Sequence, residues 1–521
     1  MENQGAAAEE DMSDSIAPQR NPIPMGGRGL ISAITQSLLV LCALLWLSSC
    51  SKKVDTGSMG GANISSTPPQ FYVPQNAVYK VTYTDKTVRI DLPTAQKALR
   101  AVSPDGSALL FDSSDPRLQG LTAGKVLFLE HLGVRRIIDV EKQGTQIGLI
   151  TDDASLSDLI QDGHIQFTEP MNLVHPHAEL FPRRDANTVS GRLRALLHPP
   201  LVYADSGSFG FHAQGKVDNW DFEAGATRKG DGLNFSFSAT KDLTGLKAKV
   251  TATGDVSHVS SSFDADIKNG KVESFQYNTP LKGSLHVTWA ALTAGQNFGI
   301  GESRLALPPL AKDVIDVYGL PFLFQINANL IFKPGFGTQH DAASGGFDLN
   351  YDGAGGLIVQ GSQSSTNGNM QATPSLNKTT SSSLAAHGIV LAVNAPKISL
   401  SIGTDSFKEA LNELLPQTIT SWSWFQRLQQ NLFSKKLSKQ AGPGDFFKIN
   451  GGAYVQLVAE FDYSASGPLS LVPCSNTHFN MYAQAGADAQ VLAMKGTSPT
   501  VEWFKSSKSW RNPDSAVCGP K

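Results

Sequence analysis

Between Phe209 and Trp289 the chain alternates apolar and polar residues with a period of two, and no other feature restricts the fold as strongly. Leu233, Phe235, Phe237 and Ala239 are separated by Asn234, Ser236 and Ser238. Leu246, Ala248, Val250 and Ala252 are separated by Lys247, Lys249 and Thr251, and Phe263, Ala265 and Ile267 by Asp264 and Asp266. Leu285, Val287 and Trp289 follow the same rule around His286 and Thr288. Successive side chains of a strand point to opposite faces, so this pattern is satisfied by antiparallel strands with one face on a core and one in water. Asn269-Gly270 lies between two such runs and predicts a type I′ hairpin, with Gly230-Asp231-Gly232 doing a similar job earlier. The segment predicts about six strands, in a sandwich or a long curved sheet.

The flanking sequence extends the same fold class, which is mainly β with antiparallel sheets and one helical stretch near 406–437. Residues 76–185 are expected to form a small β-rich domain, with strands at Val78–Tyr83, Val88–Leu92, Lys125–Glu130, Val134–Glu141 and Thr145–Thr151. A short helix follows Asp152-Asp153, whose carboxylates suit the start of a helix. The antiparallel domain is placed at 186–404. Within it, Leu320–Phe332 puts Phe322, Phe324, Ile326, Ala328, Leu330 and Phe332 on one face of a strand roughly 43 Å long. Gly345–Ser383 is so rich in Gly, Ser, Asn and Thr that it reads as a loop or as weak edge strands. The helical segment, 405–440, is expected to be capped by Asp405 or Ser406, with Phe407, Ala410, Leu411, Leu414 and Leu415 on one face. Residues 441–521 return to strands.

The amino-terminal part carries an address. Leu38–Leu47 is an unbroken apolar run of ten residues, too short for a bilayer crossing and suited to the core of a signal peptide. Leu47-Ser48-Ser49-Cys50 closes it and resembles the lipobox of bacterial lipoproteins. That resemblance implies that the Cys50 thiol is alkylated by a diacylglyceryl group and that the chain is cut before Cys50, leaving residues 1–49 as a removed leader. Two or three acyl chains then anchor the protein, at about 0.8 kcal/mol per buried CH₂. The competing reading is an uncleaved signal anchor. Met1–Pro24 carries five acidic residues against Arg20 alone, the wrong sign for a signal peptide, so translation is expected to begin at Met25. Residues 50–75, rich in Gly, Ser and Pro, read as a flexible tether. Ser51 after the cysteine points to the outer membrane. Farther on, Lys125–Phe167 is similar to a small module of uncharacterised secreted bacterial proteins, to which no chemistry is attached.

Composition fits that address. Without residues 1–49 the chain has 41 basic and 41 acidic residues, a balance not built to gather nucleic acid. Charged residues are only 17 % of the whole, against 48 glycines. Once Cys42 leaves with the leader and Cys50 is lipidated, Cys474 and Cys518 remain, and one disulfide between them is the simplest outcome in an oxidising compartment. The loop it closes, about 43 residues, is worth about 3–4 kcal/mol on the chain-entropy model.

Motifs of known chemistry are absent from the sequence: no nucleophile elbow, P-loop, dinucleotide fingerprint or H-E-x-x-H is present. His175-Pro-His177 is a weak zinc candidate, because alternate strand residues share a face; surface loop histidines are commoner. No catalytic residue and no cofactor are expected. The reading that results is a lipid-anchored cell-envelope protein without catalytic activity, touching the membrane through its lipid and binding a partner or shaping the surface. One alternative is a carrier of lipids or other hydrophobes, in which Leu320–Phe332 and the helix enclose an apolar groove. A second is an envelope hydrolase with a dispersed site.

Overall fold

The computed structural model describes residues 74–170, 210–293, 303–414 and 452–514, apart from residues 75, 104–105, 218–219, 244, 308, 336–340, 383–386, 467–469, 471–472 and 488–498. In chain order, the first strands are β1 (Val78–Tyr83), β2 (Thr87–Ile90), β3 (Leu99–Val102), β4 (Ala108–Asp112), β5 (Val126–Leu129), β6 (Gly133–Gln143), β7 (Gln146–Asp153) and β8 (Ile160–Pro170). Helices α1 (Leu92–Ala98), α2 (Pro116–Gln119) and α3 (Leu156–Leu159) lie among them. Then come β9 (Gly210–Val217), β10 (Trp220–Lys229), β11 (Gly232–Leu243), β12 (Leu246–Ser257), β13 (Ser260–Lys268) and β14 (Lys271–Thr293). The remainder is β15 (Ser303–Ala306), β16 (Ala311–Val317), β17 (Leu320–Gly335), β18 (Ala342–Gln360), β19 (Gln363–Ser365), β20 (Asn369–Ser382), β21 (His387–Ser401), α4 (Thr404–Leu414), β22 (Gly452–Ala465), β23 (Ser475–Ala487) and β24 (Thr500–Asn512).

These strands make three sheets, with eleven, seven and six strands. The largest is built on the hairpin that the alternation predicts. Asn269 and Gly270 both have positive φ, 52° and 65°, which is the type I′ geometry. From that turn β14 runs back for 23 residues, pairing first with β13 and then with β12. Thus β12 and β13 are nearly one continuous strand, interrupted at His258, whose φ is 53°. The sheet forks at that interruption. Beside β12 it continues through β11, β10 and β9; beside β13 it continues through β8 and β1. The stretch read as loop or weak edge strands forms β18, β19 and β20, with β18 lying along β14 for most of its length.

The seven-stranded sheet, β15-β17-β21-β22-β23-β24 with β16 beside β17, packs face to face on the first. Every residue named for the apolar face of β17 is buried. Phe322 meets Phe167 and Phe263 at ring-centroid distances of 5.1 Å, Phe332 meets Trp220 at 5.6 Å, and Phe461 meets Trp289 and Phe347. The groove expected between β17 and the helix is therefore not formed by the described residues: the strand's apolar face is filled by the opposite sheet. Helix α4 lies against β17 as well, and it sends Phe407 and Leu411 into the core of the six-stranded sheet.

That six-stranded sheet, β2-β5-β6-β7-β4-β3, holds one parallel pair, β2 with β5. It is covered on both sides. Leu127 and Leu129 point into its own core, whereas Val126 and Phe128 join the core of the sandwich. The expected small domain 76–185 is therefore divided between sheets: β1 and β8 belong to the eleven-stranded sheet, and β2–β7 form a layer of their own. The described residues form one compact unit.

Helix starts differ from expectation too. Ser155, not Asp152 or Asp153, caps α3, in a capping box with Asp158. Helix α4 begins at Thr404, ahead of the expected Asp405 or Ser406. Its first N–H is bonded by Asp153 from β7: Asp153 Oδ1 accepts from Thr404 N and from Thr404 Oγ1, both at 2.7 Å. The same oxygen accepts from the buried Arg135 at 2.5 Å. Gly403 makes room for this carboxylate, since a Cβ there would lie 2.9 Å from Asp153 Oδ1.

Candidate functional site

Most residues singled out by sequence lie outside the described residues: Cys50, His175, His177 and Cys518. Cys474 is disulfide-bonded and sits just ahead of β23, where its N–H donates to Ser466 Oγ at 2.7 Å.

The described residues bring together a different group, on the water-facing side of the eleven-stranded sheet. Lys80 on β1 stands opposite His164 on β8, His164 opposite Asp266 on β13, Asp266 opposite Ser274 on β14, and Ser274 opposite Gln360 on β18. One step along the strands, Gln166, Asp264 and Gln276 form the adjacent row. Period-two alternation puts all of these on one face, because the intervening Ile165, Ala265 and Phe275 are buried inside.

Within this grid His164 Nδ1 is 2.8 Å from Asp266 Oδ1 and 3.7 Å from Asp264 Oδ1. The other Asp266 oxygen accepts from Ser274 Oγ at 2.9 Å. One ligand atom from each of His164, Asp264 and Asp266 lies within 4.8 Å of the others. Burial raises the Asp264 carboxyl above its ordinary range, and the Asp266 charge adds to the rise, while His164 opposes it.

The grid borders a shallow hollow of about 610 Å³ lined by Asp162, Asp266, Lys268, Glu273, Ser274 and Gln360 among others. A bulge makes it: Ile267 pairs with Val272 and Asp266 with Ser274, which leaves Glu273 unopposed. Bulges bend a strand locally and re-aim its side chains. Asp162 closes the hollow's end by accepting from Asn269 N at 2.9 Å, tying β8 to the hairpin turn.

A second polar cluster lies on the other side of β1, where the three sheets meet. His131 and Tyr318 both have positive φ, 66° and 53°, uncommon for residues of that bulk. They are locked together: His131 N donates to Gly319 O at 2.7 Å, and Asp316 bonds both His131 Nδ1 and Gly319 N at 2.8 Å. Tyr79 stacks on Tyr318 and bonds Tyr83, whose ring carries Arg89. These contacts weld the sheets at a joint.

Comparison with known proteins gives no chemistry for either cluster. Residues 203–415 match a domain of unknown function, DUF8402, and residues 71–162 match another, DUF8403. No curated protein and no solved structure matches the chain. Asp264 and Asp266 fall inside the first match, and His164 lies just beyond the second.

Sequence reading placed Asp264 and Asp266 on a polar face but did not connect them to His164. The alternation carries the face, and the cross-strand row depends on a pairing between segments about a hundred residues apart.

Proposed function

We propose that this is a lipid-anchored protein of the bacterial cell envelope, held at the outer membrane through Cys50, with a non-catalytic binding or surface-structural role. The observation that carries the reading is Leu47-Ser48-Ser49-Cys50 at the end of a ten-residue apolar run. The disulfide at Cys474 supports it, since such bonds persist in oxidising compartments. No helix among the described residues is long and apolar enough to cross a membrane. A hydrophobe carrier would need an apolar cavity, and the face of β17 that would line it is packed.

The test is expression of the full chain in a bacterial host, followed by mass measurement of the amino-terminal peptide. The mature protein is expected to begin at a diacylglyceryl-modified Cys50, and Cys50→Ala is expected to accumulate unprocessed precursor. A retained leader with a free Cys50 thiol would overturn the reading. Peptide mapping without reductant is expected to link Cys474 to Cys518.

A further inference from the structure

We propose that His164, Asp264 and Asp266 bind a divalent transition-metal ion on the open face of the eleven-stranded sheet, at the seam where β8 meets β13. The donor set is one imidazole nitrogen and two carboxylates. Metal–ligand bonds of 2.0–2.2 Å put neighbouring ligand atoms about 2.9–3.5 Å apart. The two distances from His164 Nδ1, 2.8 and 3.7 Å, bracket that edge. A cross-strand hydrogen bond would explain the His164–Asp266 contact by itself. It does not account for Asp264, a half-buried carboxylate whose Oδ1 also turns to the same imidazole nitrogen, 3.7 Å away, so that one nitrogen and two carboxylates converge on one point. A cation at that point would be held by all three ligand atoms, which lie within 4.8 Å of one another.

The surroundings favour a cation as well. Asp162, Asp266 and Glu273 line the adjoining hollow with Lys268, so acidic groups outnumber basic ones there. Ser274 holds Asp266 by its second oxygen, the kind of outer contact that orients a ligating carboxylate. The imidazole selects against calcium and magnesium, which prefer oxygen alone, and in favour of zinc, manganese, cobalt or nickel. The ion would also do mechanical work. It joins residue 164 to residues 264 and 266, clamping the strands β1 and β8 to the long hairpin.

This proposal does not depend on lipid anchoring. Its test is calorimetric titration of the metal-stripped full chain with zinc, together with thermal melts with and without the metal. One zinc site is expected that His164→Ala abolishes and Asp264→Asn weakens at least tenfold. Ser274→Ala is expected to weaken it by about tenfold, as outer-contact losses do. Zinc is expected to raise the melting temperature of the native chain and not that of His164→Ala. Asp264→Asn is the deciding variant, because it leaves the His164–Asp266 hydrogen bond intact. Metal-free melts of each variant establish that it folds. Absence of zinc binding would overturn the proposal. So would binding that survives His164→Ala, or that disappears only when His175 and His177 are both replaced by alanine.

Discussion

Asp153 shows how much one side chain can hold when it bonds across the chain. Its carboxylate caps α4 and pairs with Arg135, which is 1 % exposed. Replacing it removes a helix cap and a charge-assisted bond to a buried guanidinium, a combined cost of about 3 kcal/mol. Urea denaturation of Asp153→Ala should show that loss; a change below about 1 kcal/mol would mean that the cap is replaceable. Asp264 behaves in the opposite sense. Its carboxyl is raised in the folded chain, so the fold binds the proton more tightly than the unfolded chain does, and its contribution becomes less favourable as pH rises. In metal-free buffer at pH 7, Asp264→Asn is therefore expected to be at least as stable as the native chain. The difference should vanish as pH falls below about 4, the unfolded value. A variant that is weaker at neutral pH would show that Asp264 is held by favourable contacts instead. Neither role was legible in sequence. Asp153 was read as a cap for the helix next to it, and its true partner lies 251 residues away.

At the scale of elements, local signals place the alternating strands but miss β18, whose Gly- and Ser-rich stretch resembles a loop. The alternating runs became strands with the expected faces inward, Asn269-Gly270 became the tight turn, and Phe407, Ala410 and Leu411 became a buried helix face. The turn can be tested because it is open: the nearest atom to a Cβ on Gly270 would be Ser157 O at 3.7 Å. Any penalty is then conformational, and Gly270→Ala is expected to cost about 1–2 kcal/mol, with Gly270→Asn costing less. Equal costs for both variants in denaturation experiments would point to steric crowding instead. What local signals lacked was the order of strands. β12 and β13 are successive in sequence, yet they lie end to end along β14, because the 23-residue β14 far outruns the nine-residue β13 at its hairpin. The break at His258, where an Asp231 carboxylate oxygen lies 2.5 Å from the imidazole Nδ1, is where the second set of partners takes over.

For the whole molecule, the consequence is that neither matched region is structurally self-contained. Residues 71–162 include β1 but only the first residues of β8, and residues 203–415 include β17 without β22, β23 and β24. Expressed alone, the 203–415 fragment would expose the apolar inner face of the large sheet. It is expected to aggregate or to lack a cooperative transition, whereas residues 71–521 should unfold in a single step followed by circular dichroism. A well-folded, monomeric 203–415 fragment would contradict the shared core. The sequence by itself determined the fold class, the strands between Phe209 and Trp289 and at Leu320–Phe332 with the faces they bury, and the two tight turns, because those follow from contacts between near neighbours and from the period of the backbone. Only the tertiary structure decided which strands lie side by side, what caps α4 and which polar residues share a row. Those depend on register between segments a hundred or more residues apart, and that register is fixed by how the two inner faces pack rather than by any local pattern.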